Sequence, residues 1–219
     1  MGGACYPCAI ERYDLPPERL GRWLERWAEQ HGPVTRTELR AGRVTFVGEG
    51  GSVDCDPPFP PLAVTGVREG FVPGPLLEHA ARERVVGVIL ARLGGHAAGV
   101  FAGRRLVDSK VGSRNVHGRH RAGGSSQRRF ERRRGEQARV ALEAAADVAA
   151  RVLLPHRGDL EAVVLGGDRR ALAEVLDDPR LRPLARIAED RVLDVPDPRL
   201  AVLRATPDTF RATVIRLAG

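Results

Sequence analysis

The first regular pattern of apolar positions lies in the segment LPPERLGRWLERWAEQHGP, residues 15–33. Its apolar residues recur at positions i, i+3, i+4 and i+7, which share one face of an α-helix; they are Leu20, Trp23, Leu24 and Trp27. Prolines suit the first turn of a helix, and the Gly32–Pro33 pair ends one. The pattern predicts an amphipathic helix that buries its tryptophan face against the main body of the protein, with a partner-binding helix as the alternative.

A hairpin is predicted next, in the glycine-containing segment RVTFVGEGGSVDCDPPFPPL. Strands are expected near Val44–Val47 and Ser52–Cys55, joined by a turn that the glycines permit. These glycines lack the Gly-Lys-Ser/Thr ending of a phosphate-binding loop, so we interpret them as turn residues. Because residues 1–14 show no periodicity, we expect a flexible tail there, followed by a small helix and β-hairpin extension over residues 15–80.

The pattern changes to α/β from about residue 83. Three apolar runs, RVVGVILARLG, AAGVFAG and RRLVDSKVG, predict consecutive strands in a meander. A helical period then runs from Gln127 to Leu153, a length of roughly 40 Å. Two further strands are predicted in LEAVVLGGD and DRVLDV, with Asp168 capping the helix between them. We therefore expect an α/β fold, a mixed sheet with covering helices, as one domain over residues 81–219 with a loop at 112–127.

The positive charge of the chain is concentrated in one stretch. The formal net charge is +7, yet residues 110–139 hold ten basic and two acidic residues, or +8, and the other 25 basic and 26 acidic residues give −1. Such a focus of charge is typical of a site for a polyanion, and nucleic acid is the expected ligand. A solvated helix face is the alternative explanation for a charged run.

Composition narrows the candidate chemistry. With 42% hydrophobic and 5% aromatic residues, the 219-residue chain resembles an ordinary soluble globular protein. An odd count of three cysteines, Cys5, Cys8 and Cys55, argues against a disulfide framework, and no second Cys or His pair completes a zinc site with Cys5 and Cys8. His117 and His120 lie in a cationic loop with no acidic residue positioned to orient either one, so we predict neither a metal site nor a histidine base there.

Two other classes of function are disfavoured. The most apolar window, VVGVILARLGGHAAGVFAG, is interrupted by arginine, glycine and histidine, so it predicts strands and not a membrane span. The start of the chain also lacks the pattern of a signal peptide, and we expect a cytoplasmic protein. A metal-dependent nuclease would need several carboxylates at strand ends, whereas Asp108 is the only acid between Phe101 and Gln127.

The chemistry is expected in the short sequence AGGSSQRRF. Gly123 and Gly124 supply backbone freedom, and Gln127 stands at the predicted start of the long helix. A glutamine side chain has a donor and an acceptor but no useful pKa, so it can orient water and stabilise developing charge but cannot act as a base or nucleophile. Such a residue becomes catalytic when a partner supplies the rest of the active site, and the basic surroundings indicate that this partner is RNA.

The core HGRHRAGGSSQRRFERRR resembles the catalytic loop of the eukaryotic/archaeal-type peptide-chain release factor superfamily, whose members carry Gly-Gly-Gln before a long helix. It is more similar still to the Vms-like release factor branch, whose loops are longer and contain serine before the glutamine. The resemblance covers roughly residues 84–219 and implies an RNase H-like α/β fold, with Gly123, Gly124 and Gln127 as catalytic positions. Ser125 and Ser126 separate the glycines from Gln127, a departure from ordinary release factors that alters the apex of the loop.

The resemblance also implies what the loop contacts. Inserted into the peptidyl-transferase centre of the large ribosomal subunit, Gln127 would position a water on the ester that joins the nascent chain to tRNA. Arginines around it would bind rRNA or tRNA phosphates through charge-assisted hydrogen bonds. These arginines are Arg119, Arg121, Arg128, Arg129, Arg132 and Arg133.

The size of the N-terminal region bears on the type of release. Residues 1–80 are too small for a domain that reads stop codons, so we expect codon-independent rescue of stalled or split large subunits. The expected protein is a monomeric peptidyl-tRNA hydrolase without a metal or organic cofactor. A non-catalytic ribosome- or RNA-binding module that uses the same basic loop is the alternative.

Overall fold

The structure, a computed structural model, describes residues 11–92, 95–113 and 126–217, and for residues 113 and 126–135 it describes the backbone. In chain order the strands are β1 Glu11–Leu15, β2 Val34–Arg40, β3 Arg43–Gly48, β4 Gly51–Asp56, β5 Gly66–Glu69, β6 Val85–Arg92, β7 Gly95–Ala102, β8 Arg105–Ser113, β9 Ala162–Gly167, β10 Ala188–Leu193 and β11 Thr213–Leu217. The helices are α1 Pro17–His31, α2 Gly74–Ala81, α3 Ser126–Leu153, α4 Arg169–Leu176, α5 Arg182–Ala185, α6 Leu200–Ala205 and α7 Pro207–Phe210. The chain divides into two compact units, residues 11–82 with 208–217 and residues 83–207.

The first unit is built on a six-stranded antiparallel sheet in the order β1-β11-β4-β3-β2-β5. Alternate positions of its strands are apolar, and this face forms one core with the apolar stripe of α1. Leu20, Leu24 and Trp27 of the helix lie in that core with Phe46 and Ile215 of the sheet. The predicted helix and its buried stripe are therefore confirmed.

The first unit also differs from the division expected from sequence. Residues 11–15, most of which were expected in the flexible tail, form β1, which pairs with β11 and buries Leu15. The predicted hairpin exists as β3 and β4, with Val44 opposite Cys55, but it lies at the centre of the larger sheet. Strand β11 pairs with β1 and β4, so residues 208–217 belong to this unit and not to a domain spanning 81–219. Pairing between the two ends of a chain leaves no local sequence pattern from which it could be predicted.

The second unit contains a mixed five-stranded sheet in the order β10-β9-β6-β7-β8. Strands β6, β7 and β8 form the predicted antiparallel meander, and β9 and β10 run parallel to β6. Helices α3, α4 and α5 cover one face, while Leu203 of α6 packs beside Gly99 on the other. The predicted α/β class, an RNase H-like mixed sheet with covering helices, is confirmed. In this sheet β7 runs antiparallel to the other four strands. The predicted cap of α4 is present too, since the Asp168 carboxylate accepts a hydrogen bond from the Ala171 amide at 2.9 Å.

The packing of the second unit fixes the direction of α3. Leu153, at its C-terminal end, fills the space above Gly87 near the start of β6. Just beyond the helix, the His156 imidazole lies 3.5 Å from the Asp108 carboxylate near the start of β8. The helix therefore runs back along the sheet, and its N-terminal end points toward the edge at which β8 ends, at Ser113. We call this the loop edge, since residues 114–125 follow Ser113.

Candidate nucleic-acid interface

The glutamine singled out from the sequence lies in the first turn of the longest helix of the described chain. Helix α3 begins at Ser126, one residue before the predicted start, and Gln127 is its second residue. Four of the predicted RNA-binding arginines follow within its first eight residues: Arg128, Arg129, Arg132 and Arg133. The other predicted site residues, together with the two loop histidines, lie outside the described residues: Gly123, Gly124, Arg119, Arg121, His117 and His120.

Helix α3 extends well beyond the sheet that supports it. Strand β8 rises by about 16 Å from Asp108 to Ser113. The same distance corresponds to about 11 residues of an α-helix. Counted back from Leu153 along the strands, α3 therefore passes the loop edge near Leu142. Burial agrees with this estimate, because Ala145 is buried while residues 136–144 are exposed or half-buried. About 16 residues of α3 therefore project past the sheet, and Gln127 stands about 27 Å along the helix axis from Ala145.

The charge along α3 changes at Glu136. Arginines dominate its first nine residues, whereas Arg139 is held between two acids, with 3.4 Å to Glu136 and 2.7 Å to Glu143. Further along, Asp147 pairs with Arg180 at 2.7 Å. The part of α3 whose sequence carries excess positive charge is therefore its N-terminal third, the end farthest from the sheet.

An acidic cleft marks the other limit of the basic surface. It lies between α3 and the C-terminal end of α4 and has a volume of about 270 Å³. Its charged lining comprises Arg139, Glu143, Glu174, Asp177 and Asp178. Three of these carboxylates have an arginine partner, since Glu143 pairs with Arg139, Glu174 with Arg170 and Asp178 with Arg180. The cleft therefore carries no excess of positive charge, unlike the sequence of the first turns of α3.

A buried histidine supports the loop edge. His96 at the start of β7 is 7% exposed, and its imidazole occupies the space into which a Cβ atom on Gly112 would project. Gly112 lies opposite His96 in the ladder between β7 and β8. Glycine is therefore required one residue before the end of β8, because any side chain there would displace the imidazole from the edge that carries the loop.

The described residues offer few groups for other chemistry. Burial raises the pKa of the Cys55 thiol well above its ordinary value, so this cysteine stays protonated and is unsuited to act as a nucleophile. Among residues 11–92, 95–113 and 126–217, no group of three or more histidine, cysteine, aspartate or glutamate side chains could hold a metal ion. Within the same ranges, no helix is both long and apolar enough to cross a membrane.

Two features of this surface were not predicted from the sequence. The first is the overhang of α3, because the helical period shows where a helix lies but not where its supporting sheet ends. The second is the pairing of Arg139, although the spacing of Glu136, Arg139 and Glu143 at i−3 and i+4 on one predicted helix was a usable signal.

The fold and the projecting helix can be compared with known proteins. Three solved structures show weak likeness. An archaeal translation termination factor, aRF1, is 17% identical with a TM-score of 0.43, covering 86% of this chain and 68% of its own. A structure described as an archaeal protein is 16% identical with a TM-score of 0.42, covering 87% and 69%. Pelota from Archaeoglobus fulgidus is 12% identical with a TM-score of 0.30, covering 90% of this chain and 60% of its own.

Comparison of sequences gives a more specific result. No curated protein matches the chain. Residues 84–216 match the sequence model of a family described as Actinobacteria/chloroflexi VLRF1 release factor, and this range contains all of the sheet of the second unit, the segment 114–125 and α3. Because the match spans more than half of the 219 residues, the chain belongs to the Actinobacteria/chloroflexi VLRF1 release factor family.

Proposed function

We propose that this protein is a ribosome-dependent peptidyl-tRNA hydrolase that releases nascent chains from stalled or split large ribosomal subunits. Gly112 and Ser113, which the sequence assigned to the loop, belong to β8. In this proposal residues 114–127 and the first turns of α3 enter the peptidyl-transferase centre, and Gln127 positions the water that attacks the ester. The family membership supports a role in translation termination or ribosome rescue. The assignment of the reaction to Gln127 depends on the geometry of α3.

The observation that carries the proposal is the position of Gln127 at the far end of a projecting helix. A single α-helix is about 10–12 Å across with its side chains, so it can enter a channel in RNA that excludes a folded domain. The overhang of α3 leaves Gln127 about 27 Å along the helix axis from Ala145, the first buried residue in the part of the helix whose side chains are described. A residue needed only to stabilise the helix or its packing would gain nothing from that distance.

The chemistry suits a side chain that does not ionise. Water attacks the ester carbonyl carbon, the bond to the ribose oxygen of tRNA breaks, and the products are a peptide carboxylic acid and a tRNA with a free hydroxyl. The Gln127 amide can accept a hydrogen bond from the water and donate one to the carbonyl oxygen as negative charge develops there. In this proposal proton transfer falls to the RNA hydroxyl groups around the ester, because a glutamine amide does not take up or release a proton.

We call residues 114–127 and the first turns of α3 the inserted element. Its arginines would supply binding energy and not chemistry. Arg128, Arg129, Arg132 and Arg133 follow Gln127 on α3, and Arg119 and Arg121 precede it in the sequence. Each guanidinium can form paired, charge-assisted hydrogen bonds to a phosphate of rRNA or tRNA. A protein with this substrate would act in the cytoplasm, and we propose that it acts as a monomer.

A non-catalytic ribosome- or RNA-binding module is the second candidate, and the arginine-rich start of α3 favours it equally. The two candidates differ in what Gln127 contributes. Gln137 provides a matched control, because it is an exposed glutamine on the same helix, ten residues further on.

The test compares release of a labelled nascent chain from purified large-subunit–peptidyl-tRNA complexes by the wild type, Gln127→Ala and Gln137→Ala. We expect Gln127→Ala to slow release roughly 10²-fold or more, with binding to the complex within twofold of wild type and Gln137→Ala unaffected. Binding without release by all three proteins would instead identify the binding module.

A further inference from the structure

The basic stretch 110–139 has two ends whose side chains the structure describes, Lys110 on β8 and Arg139 on α3. Both are exposed, and both carry one positive charge in the sequence. Their surroundings differ, and this difference decides which of them is available to a phosphate.

Arg139 is already neutralised. Its guanidinium donates to the Glu143 carboxylate at 2.7 Å and to the Glu136 carboxylate at 3.4 Å, and these acids lie one turn away on either side. A phosphate approaching Arg139 would have to displace these partners and come close to two negative charges. Arg139 therefore stabilises the helix and is a poor contact for RNA.

Among the described residues, Lys110 has no such partner. In the described part of the chain it forms no ion pair, and the nearest acid in sequence, Asp108, lies beside the His156 imidazole at 3.5 Å. Lys110 stands opposite Ala98, whose side chain belongs to the core beneath α3, so Lys110 is on the sheet face that α3 covers. Strand β8 is the outermost strand of the sheet, which leaves the ammonium group exposed beside the helix.

The position of Lys110 relates it to the inserted element. It precedes the end of β8 at Ser113 by three residues, or about 10 Å, and α3 leaves the sheet at the same edge. RNA that surrounds the projecting part of α3 would therefore reach the loop edge on the face where Lys110 stands. Its flexible four-carbon side chain allows the ammonium group to reach phosphates at several different positions.

We propose that Lys110 is a phosphate-binding residue near the rim of the inserted element, contacting rRNA or tRNA on the sheet face that α3 covers, about 10 Å before the loop edge. The inference rests on the proposed function, since it assumes that RNA surrounds α3. It assigns Lys110 to binding and not to the hydrolytic step. A lysine on an edge strand can also serve only to prevent pairing with other strands, and the test must separate the two roles.

The first experiment measures binding of the full chain to purified large ribosomal subunits over a series of salt concentrations. We expect Lys110→Gln to weaken binding about three- to tenfold near physiological salt and to reduce the salt slope by about 1. Lys110→Arg should restore both quantities, and Arg139→Gln should change affinity less than twofold. If Lys110→Gln binds with the affinity and salt slope of the wild type, the proposal is wrong. It is also wrong if that variant aggregates while its salt slope is unchanged, because Lys110 would then serve only to prevent strand pairing.

The second experiment exploits the fact that Lys110 is the only lysine of the chain. Acetylation of amines removes the charge of Lys110, whereas reductive methylation retains it, and the Lys110→Arg variant reports the effect of modifying the N-terminal amine alone. Acetylation should weaken binding by the same factor as Lys110→Gln and methylation should not. Equal effects of both reagents would contradict a charge contact.

These outcomes are distinct from failure of the proposed function. If the wild type binds large subunits without releasing peptide, the hydrolase assignment is wrong while the salt slope still tests Lys110. If the wild type releases peptide and Lys110→Gln binds normally, only the assignment of Lys110 fails.

Discussion

At the scale of single residues, the residue proposed for chemistry and the residues that pack the loop edge of the sheet lie in different parts of the second unit. Gln127 lies in the first turn of α3, about 27 Å along the helix axis from Ala145, whereas Gly112 and His96 lie at the loop edge and form part of the packed sheet. Substitutions at these positions should therefore have different effects. Substitution of Gln127 should reduce peptide release without unfolding the protein. Substitution of Gly112 should first lower the free energy of unfolding.

The pair formed by Gly112 and His96 gives a direct test at this scale. We expect Gly112→Ala to lower the free energy of unfolding by about 1–3 kcal/mol, because the added methyl group overlaps a buried imidazole that has little room to move. Denaturant unfolding monitored by circular dichroism measures the change.

Gly158→Ala is the matched control for that measurement. A Cβ atom at Gly158 would meet no atom within 4 Å, so this variant should unfold within about 0.5 kcal/mol of wild type. Equal stability of Gly112→Ala and Gly158→Ala would show that the imidazole does not fill the space above Gly112.

At the scale of elements, α3 joins two functions along one helix. From Ala145 onward it supplies buried residues to the core of the second unit, and before Leu142 it projects from the sheet with ion pairs and then arginines. The length of the projecting part thus becomes a functional quantity, since it sets the distance between the body and Gln127.

Shortening α3 within its projecting part tests that reasoning. Deleting residues 135–141 removes about 10 Å and keeps the helical phase to within about 20°. We expect release from large-subunit–peptidyl-tRNA complexes to fall at least tenfold, even though Gln127 and the six arginines proposed to bind RNA are intact, because the Gln127 side chain no longer reaches the ester.

The control keeps the length and changes the sequence. Alanine at all seven positions 135–141 preserves the helix, so release should stay within about threefold of wild type. Release at the wild-type rate by the shortened protein would mean that the reach of α3 is not what delivers Gln127.

Elements also show how far sequence reasoning could go. Helix α3, the meander of β6 to β8 and the Asp168 cap were predicted because each leaves a periodic or local signal. Strand β1 was not predicted, since five residues at a sheet edge with one buried leucine carry no such signal. The place of β11 in the first unit was equally inaccessible, because it depends on pairing with β1 and β4, far away in sequence.

The candidate site was predictable in part for the same reason. Gln127 and its arginines were proposed from composition, charge and a resemblance, all of which can be read from the local sequence. The partners of Arg139 and the exposure of Lys110 depend on which faces the fold leaves open. They could be assigned only from the arrangement of α3 and β8.

At the scale of the whole molecule, the excess of positive charge falls within one stretch of the sequence. Residues 110–139 carry +8 and the rest of the chain −1. Such a distribution orients a protein as it approaches a polyanion, and it weakens binding steeply as salt increases. The family match, residues 84–216, includes this region and the sheet that supports it.

The central claim is that the protein breaks the ester between peptide and tRNA by adding water. The most direct measurement is mass spectrometry of the peptide and tRNA released from large-subunit–peptidyl-tRNA complexes in water enriched in heavy oxygen. We predict a peptide with one heavy oxygen atom in its new carboxyl group and a tRNA with an intact 3′ end. A released peptide that still carries tRNA nucleotides, or one without the heavy atom, would contradict ester hydrolysis at Gln127.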